Sequence, residues 1–243
     1  MAGQLHKTRG IVLRVTSYAE SSAVVQVFTE QFGLQSYLVN GVKKPKARIP
    51  LTILQPLHLL EMVVFHKPQG GLQRISEARQ IPLFRTIPYD VMKSSVVLFL
   101  NEMLYKCLRQ QSADEPLFAF VFNALVWLDE TADMPANFHL YFLMRLTRFL
   151  GFCPAAPGPG HAYFDLKDGV FCRQAPGHSL VLMEPQTSQW ALVLRCRLDD
   201  LSGLTISRAD RQFLTAKMID FYRLHIDHIG ELKSHQVLEE VLG

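Results

Sequence analysis

The sequence predicts an α+β protein in which a β-barrel domain at residues 1–82 precedes a helical domain at residues 83–243. Three features of the chain support this prediction. Apolar residues alternate with a period of two up to about residue 81, as in strands, and recur about every three and a half residues from Tyr89 onward, as in helices. Between residues 152 and 203 the helical pattern gives way to a stretch rich in proline and glycine, which we interpret as an insertion.

The first three strands are predicted within residues 9–48, where β-branched and aromatic residues are frequent. Breaks at residues 18–21 and 31–33 separate the strands, and each break is short enough for a hairpin. We therefore expect an antiparallel meander. The alternating positions that define its strands are Ile11, Leu13 and Val15, then Ala23, Val25 and Val27, then Leu34, Ser36 and Leu38.

Two further strands are predicted at residues 57–66 and 72–81, with Gly70 and Gly71 as the turn between them. The N-terminal segment therefore contains five strands in about eighty residues. This number and spacing fit a small Greek-key barrel of the oligonucleotide-binding kind, the OB-fold.

The region after Tyr89 is predicted to contain a bundle of helices. The first helix begins near Tyr89, and the second, at residues 117–128, is apolar around almost its full circumference. We therefore expect the second helix to be the central helix of the bundle. Further helices are predicted at residues 138–150, after Ser207, and at residues 232–242.

The insertion at residues 152–203 resembles a zinc knuckle and includes a predicted hairpin that turns at Asp168 and Gly169. Structural zinc sites hold their ligands in close pairs, because adjacent ligands must reach one tetrahedral ion. The intervals between the candidate ligands are eight, eleven and six residues, so we favour a metal-free insertion over a zinc site and name no cofactor. The candidate ligands are Cys153, His161, Cys172 and His178.

The composition places the chain among soluble globular proteins, with 49% hydrophobic and 19% charged residues. The longest nearly apolar stretch, residues 57–65, is much shorter than a bilayer span, and the N-terminal sequence MAGQLHKTRG lacks the apolar region of a signal peptide. The four cysteines show no paired spacing, which fits reduced thiols. We therefore expect a cytoplasmic protein that does not enter a membrane.

Basic residues are concentrated near the N-terminus, although the net charge of the whole chain is only +3. The first fifty residues contain seven basic side chains and two acids. Four of the basic residues follow the third predicted strand in a run stiffened by Pro45, and such a loop suits contact with a phosphate backbone. An ordinary solvated loop is the alternative. The candidate DNA contacts are Lys7, Arg9, Arg14, Lys43, Lys44, Lys46 and Arg48.

Aromatic residues of the barrel segment could stack on nucleic-acid bases. The candidates are Tyr18, Phe28, Tyr37 and Phe65. Interior packing is the more frequent role of aromatic side chains in small barrels. Tyr37 lies next to the basic run and is opposite in phase to Leu38, so it is the one aromatic residue that we add to the predicted DNA contacts.

Arg145 and Arg148 are three residues apart on the helix predicted at residues 138–150, beside apolar side chains. Two guanidinium groups next to exposed apolar surface could capture an acidic peptide that ends in a carboxylate. Ordinary surface arginines are the alternative interpretation.

The sequence contains none of the short motifs G-x-x-x-x-G-K-[ST], G-x-S-x-G and H-E-x-x-H, which mark common catalytic sites. We therefore predict that the protein is not an enzyme. Two alternatives stay open. One is a metal-dependent nucleic-acid-processing enzyme whose active site is assembled from dispersed acids, and the other is a helical adaptor whose barrel has lost DNA binding.

Four segments of the chain resemble, in this order, the RecO family of bacterial recombination-repair proteins: TRGIVLR, Y-x-E-S-S, VFTEQFGLQSYLVNGVKKPKAR and FYRLHIDHIGELKSHQVLEEVL. The first three are similar to the N-terminal OB barrel of that family, and the last is similar to its terminal h-x-x-G-x-x-x-K-S-x-x-x-L helix. The resemblance covers nearly the whole chain. It departs from the family within residues 152–203, where many members carry two C-x-x-C pairs that this sequence lacks.

The resemblance implies a recombination mediator that binds single- and double-stranded DNA and anneals complementary strands. It also implies that the protein engages RecR and the single-stranded-DNA-binding protein SSB to help load RecA, with RecF as a further candidate partner. The family binds the acidic tail of SSB on its helical domain, which makes Arg145 and Arg148 the candidate contacts. Lys233, in the K-S pair of the terminal helix, is a candidate phosphate contact, with a helix-start motif as the alternative. DNA binding further implies a nucleoid-associated location.

Overall fold

The computed structural model describes residues 4–67, 70–108, 112–227 and 229–242 of the chain. The chain divides into two compact units, Met1–Thr131 and Ala132–Gly243. The described part of the first unit contains the strands β1 (Gln4–Ser17), β2 (Ala23–Thr29), β3 (Gly33–Val39), β4 (Leu59–His66) and β5 (Gln73–Gln80), and the helices α1 (Val91–Cys107) and α2 (Glu115–Glu130). That of the second unit contains α3 (Phe138–Leu150), β6 (Tyr163–Asp165), β7 (Val170–Cys172), β8 (Val181–Leu182), α4 (Gln186–Arg195), α5 (Arg208–His225) and α6 (Ser234–Leu242).

The five strands of the first unit form a closed barrel in the order β1-β2-β3-β5-β4. The long strand β1 pairs antiparallel with β4 along its first part and with β2 along its second part, and β3 meets β5 in a parallel pair that completes the ring. A register shift between Val12 and Arg14 bends β1 where the barrel curves. The predicted five-stranded OB-type barrel and the α+β class are therefore confirmed.

The barrel interior is filled by the alternating apolar residues of the strands, as expected from the period of two. Gly10 is required by close packing, because a Cβ atom there would lie 2.5 Å from Met62 Cε and 2.6 Å from Val27 Cγ1. The buried side chains of this core include Val12, Ala23, Val25, Val27, Tyr37, Val39, Leu54, Leu60, Met62 and Val64.

Capping residues fix the starts of α1 and α2. The carboxylate of Asp90 accepts hydrogen bonds from two N–H groups in the first turn of α1, and Asp114 accepts one from Leu117 in α2. α2 belongs to the barrel-containing unit and leaves Phe120 and Phe122 half-buried, whereas residues 138–144 of α3 are all buried. The prediction that α2 is the central helix of a bundle is therefore wrong.

A buried carboxylate and a buried ammonium connect the segment after β5 to both helices of the first unit. The Asp129 carboxylate accepts hydrogen bonds at 2.8–3.0 Å from three successive backbone N–H groups, those of Arg85, Thr86 and Ile87. The Lys93 ammonium donates to Thr86 Oγ1 at 2.7 Å and to two carbonyl oxygens at the end of α2. Burial alone would raise the pKa of Asp129, but the backbone hydrogen bonds outweigh it and lower that pKa. We call this arrangement the Asp129–Lys93 network.

In the second unit, α3 begins and ends at the predicted residues, and Gly151 closes its C-terminus in a left-handed conformation with a φ of +86°. The predicted hairpin is also confirmed. Its strands β6 and β7 join β8 in a small sheet with the order β7-β6-β8.

The loss of the helical pattern between residues 152 and 203 is misleading in one place, because α4 spans Gln186–Arg195. The first four residues of α4 are polar, and they obscure the apolar face of this helix in the sequence. That face is nevertheless well packed, since the ring of Trp190 lies 5.3 Å from Phe164 and 5.7 Å from Phe221, centre to centre.

The start of α5 is capped as predicted, because Ser207 Oγ accepts a hydrogen bond from the N–H of Asp210 at 3.1 Å. The Asp210 carboxylate accepts hydrogen bonds from Gln186 and Gln189, so the same residue also joins α5 to α4. No helix in the described part of the chain combines the length and the apolar character needed to cross a membrane.

Candidate nucleic-acid interface

The loop after β3 presents three lysines to solvent. Val42 and Ile49 are only 3% and 4% exposed, so both ends of the loop are anchored in the barrel core. Gly41 adopts a φ of +72°, which lets the chain turn away from β3, and the N–H of Lys44 donates to its carbonyl at 3.1 Å. The anchors hold the side chains of Lys43, Lys44 and Lys46 outside the barrel. We call residues 43–48 the basic loop.

The lysines of the basic loop form no ion pair with the residues that the structure describes. The ammonium of Lys43 lies 3.3 Å from the hydroxyl of Ser17 at the end of β1. Arg48 pairs with Glu77 of β5 at 2.7 Å, but both side chains are largely exposed, so the pair is weak. The basic loop therefore extends from the end of β1 to β5 and carries three lysines that no acid in the described part of the chain neutralises.

The two arginines of β1 form hydrogen bonds and ring contacts within the first unit. The Arg9 guanidinium donates hydrogen bonds to the Glu30 carboxylate at 2.5 and 2.9 Å and lies 4.8 Å from the centre of the Phe122 ring. The hydrogen bonds between Arg9 and Glu30 raise the pKa of the Arg9 guanidinium and lower the pKa of the Glu30 carboxyl group. Arg14 donates to the hydroxyl of Tyr105 in α1 at 2.6 Å. Both arginines thus connect the barrel to the helices of the same unit, and their predicted DNA contacts stay predictions.

Lys7 lines a groove of about 540 Å³ on the face formed by β1, β4 and β5. Acids and bases alternate across this face, where Arg79 pairs with Glu61 at 2.6 Å. Glu77, the partner of Arg48, also lines the groove. The groove is therefore mixed in charge, unlike the basic loop that meets it at Arg48.

The predicted stacking role of Tyr37 requires correction. Its side chain is fully buried in the barrel core, and burial raises the pKa of its hydroxyl. A ring in that position offers no free face to a base. The aromatic residue that sequence reasoning passed over is Tyr18, which is 66% exposed. The sequence indicates the exposure of Tyr18, because this residue falls in the break between β1 and β2 and so has no inward-facing position in either strand.

The two arginines predicted to bind an acidic peptide differ in environment. Arg145 is half-buried, and its guanidinium donates to the carbonyl of Cys196 and lies 5.6 Å from the centre of the Tyr141 ring. Its Nε is buried and has no hydrogen-bond partner among the described atoms. Arg148, one turn further along α3, is exposed. Lys233 is exposed immediately before α6, at a distance in sequence from the basic loop.

Comparison with known protein families decides the classification. The family model described as "Recombination protein O N terminal" matches residues 1–84, and "Recombination protein O C terminal" matches residues 88–236. The chain belongs to the RecO family. Proteins named "DNA repair protein RecO" from Phocaeicola vulgatus and Bacteroides fragilis are each 37% identical to it over 240 residues. These alignments cover 98% of this chain and 100% and 99% of the two relatives.

A third relative with the same name, from Flavobacterium psychrophilum, is 35% identical and covers 98% of the chain. The sequence-based assignment to the RecO family is therefore confirmed. The match extends through the cysteine-containing insertion, because the C-terminal family model spans residues 88–236.

The four candidate zinc ligands of this RecO family member have separate partners. His178 Nε2 lies 3.1 Å from Asp165 Oδ2, and the ring of His161 accepts from a backbone N–H. Cys172 Sγ approaches the carbonyl of Tyr163, and Cys153 Sγ approaches that of Pro154. Burial raises the pKa of the Cys172 thiol, which opposes the thiolate form that binds metal. Among the residues that the structure describes, no group of three or more His, Cys, Asp or Glu side chains is close enough to hold a metal ion.

Proposed function

We propose that the protein is a recombination mediator in DNA repair. It binds single- and double-stranded DNA, anneals complementary strands, and engages SSB and RecR to help load RecA, with RecF as a further candidate partner. The names of the full-length relatives support the repair role. Association with the nucleoid is part of the same proposal.

The observation that carries the proposal is the basic loop on the surface of the OB-type barrel, whose three exposed lysines pair with no acid that the structure describes. Lysine ammonium groups on flexible stems neutralise phosphates without selecting a sequence, and the release of counterions supplies the affinity. The anchors at Val42 and Ile49 keep these charges together, so a bound strand meets several of them at once. Such a surface suits a protein that must act on any damaged sequence.

A mediator of this kind can work through competing equilibria, without bond-forming or bond-breaking chemistry. Two DNA strands repel each other through their phosphates, and a cationic surface that holds both reduces that repulsion. Annealing then follows from base pairing of the strands themselves. A strand coated with SSB must be recruited before it can be transferred, so a second surface for the coating protein is needed.

We propose that Arg145 and Arg148 form that second surface and bind the acidic tail of SSB. A guanidinium carries five N–H donors, so Arg145 can hold the Cys196 carbonyl and still offer donors to a carboxylate. Arg148 is exposed on the same helix. Together they would give charge-assisted hydrogen bonds to an acidic peptide end.

The test is annealing of complementary labelled oligonucleotides, either bare or coated with SSB. The wild-type protein should accelerate both reactions. Charge reversal at Lys43, Lys44 and Lys46 should abolish both, whereas reversal at the exposed residues Lys167, Arg173 and Arg208 makes the same change in net charge and should leave the reactions of bare strands intact.

Alanine at Arg145 and Arg148 should slow only the annealing of coated strands and weaken binding of a tail peptide. Unchanged peptide affinity in this variant would reject the assignment of the two arginines. Metal-dependent shortening of the labelled strands would instead support the enzyme alternative, and failure of the wild-type protein to bind any oligonucleotide would support the adaptor alternative.

A further inference from the structure

Tyr18 is a large, solvent-exposed aromatic side chain at the base of a tight turn. It is 66% exposed, whereas Phe28 and Tyr37 of the same barrel are fully buried. The turn is closed by hydrogen bonds, because the N–H of Tyr18 donates to the Ser22 carbonyl at 3.0 Å and Ala19 and Ser22 bond to each other. The backbone beneath the ring is therefore fixed, although the ring contributes little to the core.

Two side-chain contacts place this turn beside the basic loop. The Lys43 ammonium lies 3.3 Å from the hydroxyl of Ser17, the residue before Tyr18. On the other side of the turn, the Ser22 hydroxyl donates to Asn40 Oδ1 at 3.1 Å, and Asn40 lies just before the loop. Lys43 and Asn40 thus join the basic loop to the turn that carries the exposed ring of Tyr18.

This combination has a specific chemical consequence. Lysines bind the phosphates of any nucleic acid, but an aromatic ring can stack only on a base whose face is free. In a duplex both faces of each base are already covered by its neighbours. A ring beside a phosphate-binding loop therefore adds affinity for unpaired strands and none for intact duplex.

We propose that Tyr18 is the base-stacking residue of this surface and gives it a preference for single-stranded nucleic acid. The proposal rests on the proposed function, since it assumes that the basic loop holds a nucleic-acid backbone. It replaces the stacking role predicted for Tyr37, and it assigns discrimination between strand forms to one side chain.

The experiment measures oligonucleotide affinity of the full-length protein by fluorescence anisotropy, with a single-stranded and a duplex probe. Tyr18→Ala should lose about five- to 150-fold in single-strand affinity, the equivalent of one stacked base. Duplex affinity and the slope of the salt dependence should not change, because no phosphate contact is removed. Tyr18→Phe keeps the ring and should bind as the wild type does.

Tyr89→Ala is the matched control, since Tyr89 is 87% exposed in the same unit and lies outside the turn and the basic loop. It should leave both affinities unchanged. A second readout is Tyr18→Trp, whose added fluorescence should be quenched by a single-stranded probe and not by a duplex.

Binding of the two probes distinguishes a failure of the proposed function from a failure of the stacking role. If the wild-type protein binds neither probe, the proposed function fails and the role of Tyr18 fails with it. If the wild type binds and Tyr18→Ala binds the single strand equally well, or Tyr18→Trp is not quenched, the stacking role is wrong while the proposed function stands.

Discussion

Replacing Asp129 by alanine should destabilise the barrel-containing unit, because this carboxylate accepts hydrogen bonds from three successive backbone N–H groups, of which that of Ile87 is buried. The residue is only 6% exposed, so water has little access to the carboxylate. A hydrogen bond to a charged acceptor contributes about 1.5–3 kcal/mol, and an orphaned buried donor costs about 1–3 kcal/mol. Partial relaxation and hydration of the segment would reduce the sum, so we expect a loss of about 3–5 kcal/mol.

Asp129→Asn should cost less than alanine. In the wild type, the N–H of Arg85 contacts both carboxylate oxygens, whereas those of Thr86 and Ile87 contact only one. The amide keeps one acceptor oxygen for Thr86 and Ile87, but its NH₂ group would face the N–H of Arg85. Glu130→Ala is the control, because Glu130 is exposed at the end of α2 in the same unit and should change stability by less than about 0.5 kcal/mol.

The assay is urea unfolding followed by tryptophan fluorescence in a Trp190→Phe background. The chain has two tryptophans, and Trp127 lies in α2 close to Asp129, so it then reports on the first unit alone. The lowered pKa of Asp129 also sets a pH window. Its stabilising effect should be complete above the unfolded-state pKa of about 3.9 and should fade as the pH falls through the lower folded value. A loss below about 1 kcal/mol for Asp129→Ala at pH 7 would refute this account of the network.

Two further predictions concern other buried or half-buried pairs. Glu30→Gln should cost about 1 kcal/mol or less, because the pair with Arg9 is partly solvated, and the difference from the wild type should shrink in 1 M salt; a salt-independent loss would contradict the ionic explanation. His139 is fully buried beside Thr215, and burial lowers its pKa to about 3. Between about pH 6.5 and 3 the imidazole is therefore protonated in the unfolded chain and neutral in the native protein. Stability should therefore fall by up to about 1.4 kcal/mol per pH unit as the pH drops from about 6.5 toward 3, and His139→Gln, followed through Trp190, should flatten that slope.

The barrel could be predicted from the sequence because each strand has one face in the core, and this leaves a clear period of two. The limits of α3 were equally readable, since its buried run ends at Gly151. α4 was hidden because it is short and its polar residues outnumber the apolar ones that it buries.

The candidate site was only partly predictable. The run of charge at residues 43–48 is visible in the sequence, but the pairing of Arg9 with Glu30 and of Arg14 with Tyr105 joins residues far apart in the chain. The role of Tyr37 was misjudged because alternation tells which residues share a face and does not tell which face is inside. The Asp129–Lys93 network also lacked any local signal, since its partners are about forty residues apart.

The most direct test of the central claim is the salt dependence of oligonucleotide binding by the variant with charge reversal at Lys43, Lys44 and Lys46. If these lysines hold phosphates, the slope of log affinity against log salt should fall by about 2 on single strands and by about 2.7 on duplex. Reversal at Lys167, Arg173 and Arg208 should leave the slope as it is in the wild type. An unchanged slope in the basic-loop variant would contradict the assignment of this loop as the DNA-binding surface.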